Sequence, residues 1–219
     1  MRIDVITLFP EVFGPLHSSI PARAQSKGIL ELHLHWLRKF GRGPHNQVDD
    51  TPFGGPGMVL SCQPIFECME SIPKKGKCKV IYPTPQGIPF KQKHAIELSE
   101  ADQLIFLCGH YEGVDQRVRD QLVDEEYSLG DFVISSGELA TMTMADSIIR
   151  LLPGVIKPES YQQDSFFCGG LDHPHYTKPA DFRDLKVPEV LLSGHHKKID
   201  EWRTTQAQAT TKRVRPDLL

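Results

Sequence analysis

The hydrophobic pattern of the first forty residues predicts two strands connected through a helix. Residues 3–8 carry four apolar side chains in a short run, which is typical of a buried strand. Pro10 follows this run, and proline is favoured in the first turn of a helix. In residues 30–36, three leucines and Trp36 alternate with polar side chains, and this alternation predicts a half-buried strand.

The pattern continues along the chain as alternating strands and helices. Apolar runs predict further strands at Lys79–Thr84, Gln103–Cys108 and Asp131–Ser135. Helices are predicted at Gln63–Ser71, Lys91–Ser99, Asp115–Val123 and 138–152, the last from apolar residues spaced three and four apart. Because strands that alternate with helices form a parallel sheet covered on both faces, the sequence predicts an α/β fold with a mostly parallel sheet.

Two segments depart from this alternation. Residues 41–57 are rich in glycine and proline, so we expect a long loop without regular structure, of the kind that is usually functional or disordered. After Pro153 the periodicity is weak until a predicted helix near Lys197–Ala209. We therefore expect an α/β domain at 1–155, a linker at 156–165 and a small, mostly helical domain at 166–219.

Composition narrows the class of protein. The chain has 219 residues, of which 39% are hydrophobic and 24% are charged, as in a soluble globular protein. No segment approaches the roughly 20 apolar residues of a membrane-spanning helix, and the N-terminal residues lack the apolar core of a signal peptide. We therefore expect a cytoplasmic protein that has no membrane partner.

The charge is unevenly distributed along the chain. The net charge of −3 argues against a uniformly basic nucleic-acid binder. Residues 195–215, however, contain six lysines and arginines against two acidic residues. This basic stretch could attract phosphate groups, or it could be the solvated face of a helix followed by a mobile tail.

The spacing of cysteine and histidine predicts neither disulfides nor a metal site. The five cysteines are odd in number and include no CxxC pair, which favours free thiols in a reducing compartment. Ten histidines are present, but none has the spacing of an HExxH motif or a zinc finger. Three pairs lie close in sequence: His33/His35, His173/His175 and His195/His196. We expect these histidines to be surface or hydrogen-bonded residues and not metal ligands.

Three segments at or near predicted strand ends are similar in composition. They are YPTPQG (82–87), LCGHYEG (107–113) and SLGDFVISSGEL (128–139). Ligands bind beyond the carboxyl ends of parallel strands, and glycine lets the backbone approach a ligand closely. The segments therefore suit an adenine and a ribose, although ordinary turns explain them equally well. The chain has neither GxGxxG nor GxxxxGK[ST], which argues against dinucleotide enzymes, P-loop NTPases and the common Rossmann-type methyltransferases.

Seven longer motifs follow one another from the first residues to the last part of the chain. They are ITLFPEVF (6–13), VDDTPFGGPGM (48–58), CGHYEGVDQRV (108–118), DEEYSLGDFVISSGEL (124–139), DSIIRLLPGV (146–155), DSFFCGGLDHPHYTKP (164–179) and VPEVLLSGHH (187–196). In this order they resemble the bacterial tRNA (guanine-N1)-methyltransferase family, which belongs to the SPOUT class. So many long motifs in one order are far more specific than a single glycine motif.

The resemblance implies an activity, a fold and partners. The activity is transfer of a methyl group from S-adenosylmethionine (AdoMet) to N1 of the guanine immediately 3′ of the anticodon (position 37) in tRNA. The fold is a knotted AdoMet-binding catalytic domain at 1–155, with the trefoil knot in its C-terminal part, and a small tRNA-binding domain at 166–219. The partners are tRNA and a second copy of the chain, in a homodimer with shared active sites. The resemblance also implies that Mg²⁺ assists, but the sequence shows no ligand set for it.

The resemblance assigns roles to residues by their position in the motifs. AdoMet would be held by Tyr82, Pro85, Gly87, Gly109, Tyr111, Leu129, Gly130, Asp131, Phe132, Val133 and Ile134. The target guanine would contact Asp49, Pro56 and Gly57. The catalytic residues would be Asp164 as general base, Arg150 as catalytic arginine, and Glu112 near the methyl group.

These catalytic roles fit the chemistry of guanine. N1 carries a proton, so a carboxylate such as Asp164 is needed to remove it as the methyl group arrives. A guanidinium at Arg150 would stabilise the negative charge that develops across N1 and O6, an effect worth roughly 3–4 kcal/mol for one good donor. From the residues alone, Arg150 could instead form a surface ion pair with Asp146, and Asp164 could cap a helix.

Three motifs depart from the family pattern. The chain has FGGPGM (53–58) in place of YGGGPGM, SSGELA (135–140) in place of SGGELP, and CGHYEG (108–113) in place of CGRYEG. The altered glycine loops support an alternative in which the chain is a knotted module that binds AdoMet or RNA without catalysis. A methyltransferase that acts on a different RNA target is a further alternative, because related folds serve several targets. Many relatives continue beyond RPDLL (215–219), so we expect a reduced RNA-binding unit.

Overall fold

The computed structural model describes residues 1–167 and 169–219, which form two compact units, Met1–Ile156 and Lys157–Leu219. The strands of the first unit are β1 (Arg2–Thr7), β2 (Glu31–Trp36), β3 (Asp49–Asp50), β4 (Val59–Leu60), β5 (Cys78–Pro89), β6 (Gln103–Leu107) and β7 (Glu125–Ser128). Five of them form one parallel sheet in the order β2-β1-β6-β5-β7, while β3 and β4 form an antiparallel pair. The prediction of an α/β fold with a mostly parallel sheet is confirmed.

Four of the five α-helices of the first unit lie at the predicted positions, whereas the sequence pattern did not predict α1. They are α1 (Ser19–Ser26), α2 (Cys62–Ser71), α3 (Gln92–Ser99), α4 (Gln116–Leu122) and α5 (Gly137–Ile149), with 3₁₀ helices at Pro10–His17 and Leu37–Phe40. Pro10 occupies the first turn of its helix, as predicted, because its missing N–H has no helical partner there. The Asp115 side chain accepts a hydrogen bond from the Arg117 N–H and so caps α4.

Both faces of the parallel sheet are covered by the rest of the first unit. All five residues of β6 are buried, as are five of the six residues of β1. Because neighbouring residues of a strand point to opposite faces, this pattern requires packed layers on both sides. Ile6 of β1 and Leu107 of β6 belong to the same buried apolar cluster as Ile65 of α2. Helix α2 also packs against α4, whereas α5 packs against α1 and α3.

A buried polar network connects three neighbouring strands. The Asp4 carboxylate on β1 is fully buried and accepts hydrogen bonds of 2.7 Å from Arg2, from His35 on β2 and from Gln103 on β6. Burial alone would raise the pKa of Asp4, but these hydrogen bonds lower it well below its usual range. The carboxylate is therefore ionised in the folded protein and ties the strands together.

The predicted strand at Asp131–Ser135 is wrong. The strand at this point of the chain is β7 (Glu125–Ser128), and Asp131–Ser135 is an irregular segment that precedes α5. The apolar side chains that suggested a strand are exposed: Phe132 by 58% and Val133 by 85%. Apolar residues therefore occur here without contributing to the core.

The loop at 41–57 contains more regular structure than predicted. Its Asp49–Asp50 segment is β3, which pairs with β4, and Arg42 pairs with Gln47 in an isolated bridge. The remaining residues have no strand or α-helix, and Phe53 is fully exposed. Backbone pairing of β3 therefore fixes the base of the glycine-rich tip, which projects into solvent.

The second unit is dominated by one long helix. Its elements are the strands β8 (Asp181–Phe182) and β9 (Leu185–Lys186), the helices α6 (Glu189–Leu192) and α7 (His196–Val214), and 3₁₀ helices at Pro158–Ser160 and Pro216–Leu218. The predicted helix near Lys197–Ala209 is confirmed and extends further, to Val214. Arg183 and Asp184 both have positive φ angles of 55° and 64°, as the two central residues of a tight hairpin turn require.

Two sequence expectations concern the whole chain. Cys62, Cys68, Cys78 and Cys108 are free thiols, as predicted, and Cys168 lies outside the described residues.

In the described part of the chain, no helix combines the length and apolar character that crossing a bilayer requires.

Candidate functional site

A cavity of about 330 Å³ opens in the first unit beside the ends of β6 and β7 and the irregular part of β5. It is lined by residues 82–86, 109–114, 127–129 and 132–137, together with Arg119 and Ala140. The volume lies within the range of small-molecule sites. All three segments that the sequence indicated as ligand loops therefore meet in one place, beyond the carboxyl ends of parallel strands.

Most of the predicted AdoMet contacts lie in the wall of this cavity. The lining members are Tyr82, Pro85, Gly109, Tyr111, Leu129, Phe132, Val133 and Ile134. Gly130 and Asp131 connect two lining segments without lining the cavity themselves. Gly87 lies instead in a neighbouring depression with Tyr127 and Glu97. A Cβ at Gly87 would come within 2.4 Å of the Tyr127 backbone N, so close strand packing explains this glycine.

Tyr82 forms a rigid wall of the cavity. Its side chain is almost completely buried, and the Arg119 guanidinium lies 5.7 Å from the centre of its ring. Arg119 is fixed by two hydrogen bonds to Glu126, of 2.8 and 2.7 Å. Burial raises the pKa of Tyr82, so its hydroxyl keeps its proton at neutral pH. The wall therefore combines an apolar ring with a neutral hydroxyl group.

Two glycines bring the backbone segments of the cavity into direct contact. A Cβ added to Gly109 would lie 2.9 Å from the Tyr82 hydroxyl oxygen, and one added to Gly137 would lie 2.6 Å from the Gly109 nitrogen. The Gly137 N–H also donates a hydrogen bond of 2.9 Å to the Gly109 carbonyl. Larger residues would push the segments apart, so the narrow shape of the cavity depends on both glycines.

The turn after β6 links the cavity to the glycine-rich loop. Tyr111 has a positive φ of 59°, and the turn closes with a 3.0 Å hydrogen bond from the Gly113 N–H to the His110 carbonyl. The Glu112 N–H donates to the Met58 carbonyl at 3.0 Å. A Cβ at Gly57 would lie 2.7 Å from the Glu112 Cγ, so the loop backbone packs against this side chain. Gly57, a predicted contact of the target guanine, therefore touches Glu112, which lines the cavity.

All three predicted substrate contacts lie outside the cavity wall. Asp49 is part of β3 and pairs with Leu60, and Pro56 is exposed on the glycine-rich loop. Gly57 packs against the side chain of Glu112, which lines the cavity. Asp49 instead helps to hold the base of the loop.

The predicted base and arginine lie in different units. Arg150 ends α5 in the first unit, outside the cavity lining, and its N–H donates to the Asp146 carbonyl. Asp164 lies in a turn of the second unit, where its carbonyl accepts a 3.2 Å hydrogen bond from the Phe167 N–H. No helix of the described residues begins beside Asp164, so the helix-cap interpretation is wrong. The catalytic roles of both residues remain predictions.

Two residues that shape the cavity were not identified from the sequence. Arg119 directly follows the CGHYEGVDQRV motif, and Gly137 lies inside SSGEL. The sequence around these two residues does not indicate which atoms they contact. Their contacts, to Glu126 and Tyr82 for Arg119 and to Gly109 for Gly137, depend on three-dimensional packing.

Comparison with known proteins agrees with the arrangement of the site. A family model described as tRNA (Guanine-1)-methyltransferase TrmD matches residues 1–219. The tRNA (guanine-N(1)-)-methyltransferases of Macrococcus caseolyticus, Bacillus cereus and Bacillus anthracis are each 52% identical to the chain. Each of these alignments covers 100% of this chain and 92% of the relative. The chain therefore belongs to the tRNA (guanine-1)-methyltransferase family.

Proposed function

We propose that the chain is an AdoMet-dependent enzyme that methylates N1 of the guanine immediately 3′ of the anticodon in tRNA. Membership of the family over the full chain supports the reaction type and the tRNA substrate. The observation that carries the proposal is the contact between Glu112, which lines the cavity, and Gly57 of the glycine-rich loop. A methyl donor and a target base need such adjacent sites, because the reacting atoms must approach within about 3–3.5 Å.

The cavity suits AdoMet in shape and chemistry. Gly109 and Gly137, whose backbones are hydrogen-bonded to each other, let the lining segments of the cavity pack closely, and backbone N–H and C=O groups of those segments would pair with an adenine and a ribose. Exposed apolar side chains such as Phe132 and Val133 would cover the ring system of the bound donor. When bound, AdoMet supplies a methyl group on a positively charged sulfur atom. Tyr111 and Glu112, on the turn after β6, are the residues that we place nearest that methyl group.

We assign the proton transfer to Asp164. Its carboxylate accepts the proton from N1 of the guanine, which makes the nitrogen nucleophilic as it receives the methyl group. Arg150 donates to O6, where part of the negative charge develops. These roles rest on the positions of the residues in the motifs DSFFCGGLDHPHYTKP and DSIIRLLPGV. The trefoil knot, the homodimer with shared active sites and the tRNA-binding role of the C-terminal domain belong to the same proposal.

The direct test is transfer of a labelled methyl group from AdoMet to unmodified tRNA transcripts. We expect label on a transcript with guanine 3′ of the anticodon and none on a transcript with adenine there, and nuclease mapping should locate it at N1 of that guanine. Parallel reactions with EDTA and with added Mg²⁺ measure the contribution of the cation. Calorimetric binding of AdoMet without transfer to any tRNA would contradict the proposal.

Asp164→Asn tests the assignment of the base. We expect it to retain AdoMet binding and to lose about a hundredfold or more in turnover, because general-base catalysis typically contributes 10²–10⁴-fold. Asp181→Asn is the matched control, since Asp181 is an exposed carboxylate on β8 of the same unit. If Asp164→Asn turns over like the control, Asp164 is not the base.

The quaternary structure requires a separate measurement. Size-exclusion chromatography with light scattering should give twice the mass of the 24.7 kDa chain. Mixing Asp164→Asn with Arg150→Ala protein should partly restore activity if the two residues of one active site come from different copies. A monomeric mass together with normal activity would exclude shared active sites.

A further inference from the structure

Three side chains with metal-binding atoms converge in the second unit, apart from the residues assigned to methyl transfer. Asp172, His173 and His175 each offer one ligand atom, and these atoms lie within 4.8 Å of one another. His173 and His175 are two positions apart, and positions two apart in an extended chain point to the same side. Neither histidine is part of a helix or strand, so the local backbone conformation, and not regular secondary structure, brings them together.

The hydrogen bonds around His173 leave its Nε2 atom available to bind a cation. Its Nδ1 lies 3.2 Å from the Pro174 carbonyl oxygen, which can only accept, so Nδ1 carries the proton. Nε2 lies 3.7 Å from the Oδ1 atom of Asp172, which also accepts a 2.6 Å hydrogen bond from the His173 N–H. The space between Nε2 and Oδ1 can therefore be filled by a proton on Nε2 or by a metal cation. An N–H that donates to a backbone carbonyl is also the usual second contact of a metal-binding histidine.

The cluster is held in place by contacts that do not use its ligand atoms. The Asp172 N–H donates to the Ser165 hydroxyl at 2.9 Å, and the Leu171 N–H donates to the Thr211 hydroxyl at 2.9 Å. Thr211 is buried on α7, so this segment is anchored to the long helix. The His173 ring lies 6.5 Å from the Trp202 ring on the same helix. The ligand atoms therefore need little reorganisation to bind a cation.

We propose that Asp172, His173 and His175 bind a divalent cation of the zinc class, with water completing its coordination. Imidazole nitrogen and carboxylate oxygen together suit Zn²⁺, whereas Mg²⁺ prefers oxygen ligands alone. The His173 side chain is 14% exposed and that of His175 is 72% exposed, so the site is closed on one side and open to solvent on the other. This geometry allows entry of the ion and leaves room for bound water.

Binding requires one proton to move. His175 Nε2 lies 2.9 Å from the Asp172 Oδ2 atom. When no cation is present, the Nε2–H group donates a hydrogen bond to this oxygen. When the cation takes the place of that proton, His175 binds through Nε2 and carries its proton on Nδ1. The imidazole remains neutral, and Asp172 remains a carboxylate. The inference does not depend on the proposed methyl transfer, since none of the three residues has a role in it.

Calorimetric titration of the full chain with ZnCl₂, after removal of metals with EDTA and desalting, tests the proposal. We expect one saturable site per chain that excess Mg²⁺ does not displace. His173→Gln and His175→Gln should each weaken the binding by more than about tenfold, because each removes one of three protein ligands. His195→Gln with His196→Gln is the matched control, since it removes two exposed histidines at the start of α7.

Co²⁺ gives a second readout that does not depend on a variant. Co²⁺ bound by nitrogen and oxygen in a tetrahedral site should produce visible absorption bands that Zn²⁺ abolishes at one equivalent. Melting curves without metal show whether a variant is folded. If His173→Gln is unfolded, zinc binding by His175→Gln, which changes an exposed residue, and the Co²⁺ spectrum of the wild type still test the proposal. Absence of saturable zinc binding in the wild type, or equal affinity in the two ligand variants and the control, would overturn the proposal. The labelled-methyl assay reports on the proposed function separately.

Discussion

At the scale of single residues, Gly109 determines how closely two walls of the cavity approach. A Cβ here would lie 2.9 Å from the Tyr82 hydroxyl oxygen and 3.0 Å from a ring carbon. Tyr82 is buried and lies beside Arg119, which is itself bound to Glu126, so the ring has little freedom to retreat. A larger residue at this position would therefore change the shape of the cavity.

We expect Gly109→Ala to weaken AdoMet binding by roughly tenfold, because overpacking typically costs about 1–3 kcal/mol and about 1.4 kcal/mol is tenfold in affinity. Isothermal titration calorimetry with AdoMet measures the change. Gly14→Ala is the control, since a Cβ at Gly14 would meet nothing within 4 Å. Unchanged AdoMet affinity in Gly109→Ala would show that the cofactor does not depend on this contact.

Asp4 illustrates how a single carboxylate stabilises the sheet. Its pKa is lowered in the folded protein although burial opposes this, because Arg2, His35 and Gln103 donate to it. A group whose pKa is lower in the folded state stabilises the fold above its unfolded pKa of about 3.9. The contribution is lost progressively as the pH falls below that value.

Asp4→Asn should therefore reduce the free energy of unfolding by roughly 3–5 kcal/mol at neutral pH, since it breaks a buried ion pair. The difference from wild type should become smaller when urea unfolding is repeated near pH 3. Asp120→Asn, at an exposed carboxylate on α4, should change little at either pH. A difference between Asp4→Asn and wild type that does not depend on pH would show that packing, and not charge, explains the loss.

At the scale of elements, one buried contact joins the end of β1 to the beginning of α5. The Thr7 hydroxyl donates a 2.7 Å hydrogen bond to the Oε1 atom of Glu138, and both side chains are almost completely buried. The Oε2 atom of Glu138 has no hydrogen-bond partner among the described residues. Because Gly137 lines the cavity, this contact also positions the first turn of α5 at the site.

A double-mutant cycle can measure this contact. Thr7→Val alone should lower the free energy of unfolding by about 1–3 kcal/mol, because it leaves the Glu138 carboxyl group buried without its remaining partner. Thr7→Val with Glu138→Leu should recover part of that loss, since replacing both partners by apolar groups can be nearly neutral, whereas the Phe9 N–H still loses its 3.0 Å hydrogen bond to the Thr7 hydroxyl. Urea unfolding of the wild type, both single variants and the double variant gives the coupling. A double variant no more stable than Thr7→Val would contradict this explanation.

At the scale of the whole molecule, the sequence leaves two interpretations of the basic stretch at 195–215 open: it binds phosphate groups of tRNA, or it is a solvated helix face. Arg203 and Arg215 form ion pairs with Asp200 and Asp217. Lys212 and Arg213 are exposed in the last turn of α7. A phosphate-binding role predicts that these two residues contribute to tRNA affinity, whereas a merely solvated helix face predicts no effect.

We expect Lys212→Gln with Arg213→Gln to weaken tRNA binding and to reduce the slope of log K against log salt by about one for each phosphate that is no longer neutralised. Turnover at saturating tRNA should not change. Lys74→Gln with Lys93→Gln makes the same change in net charge on exposed positions of the first unit and serves as the control. Equal salt slopes for the two double variants would support the solvated-face interpretation.

Hydrophobic periodicity along the chain was sufficient to predict most elements of the parallel sheet and its helices. The apolar run at 104–107 in β6 and the three- and four-residue spacing of α5 reflect burial that follows the geometry of each element. The prediction of a strand at Asp131–Ser135 is wrong because this segment has the composition of a strand, whereas its residues 132–135 line a cavity. Composition indicates that a residue can be buried, and does not indicate which surface it will face.

The order of the motifs determined the family, and with it the expectation of an AdoMet site, because long ordered motifs carry far more information than spacing alone. Only the tertiary structure decided that Tyr82, Gly109 and Gly137 meet, that Arg119 lies beside Tyr82, and that Glu112 touches Gly57. It also brought Asp172 and the two nearby histidines together in a spacing that matches no familiar metal motif. The physical reason is that periodic burial is a local property of the chain, whereas contacts within a site are set by backbone conformation and packing in three dimensions.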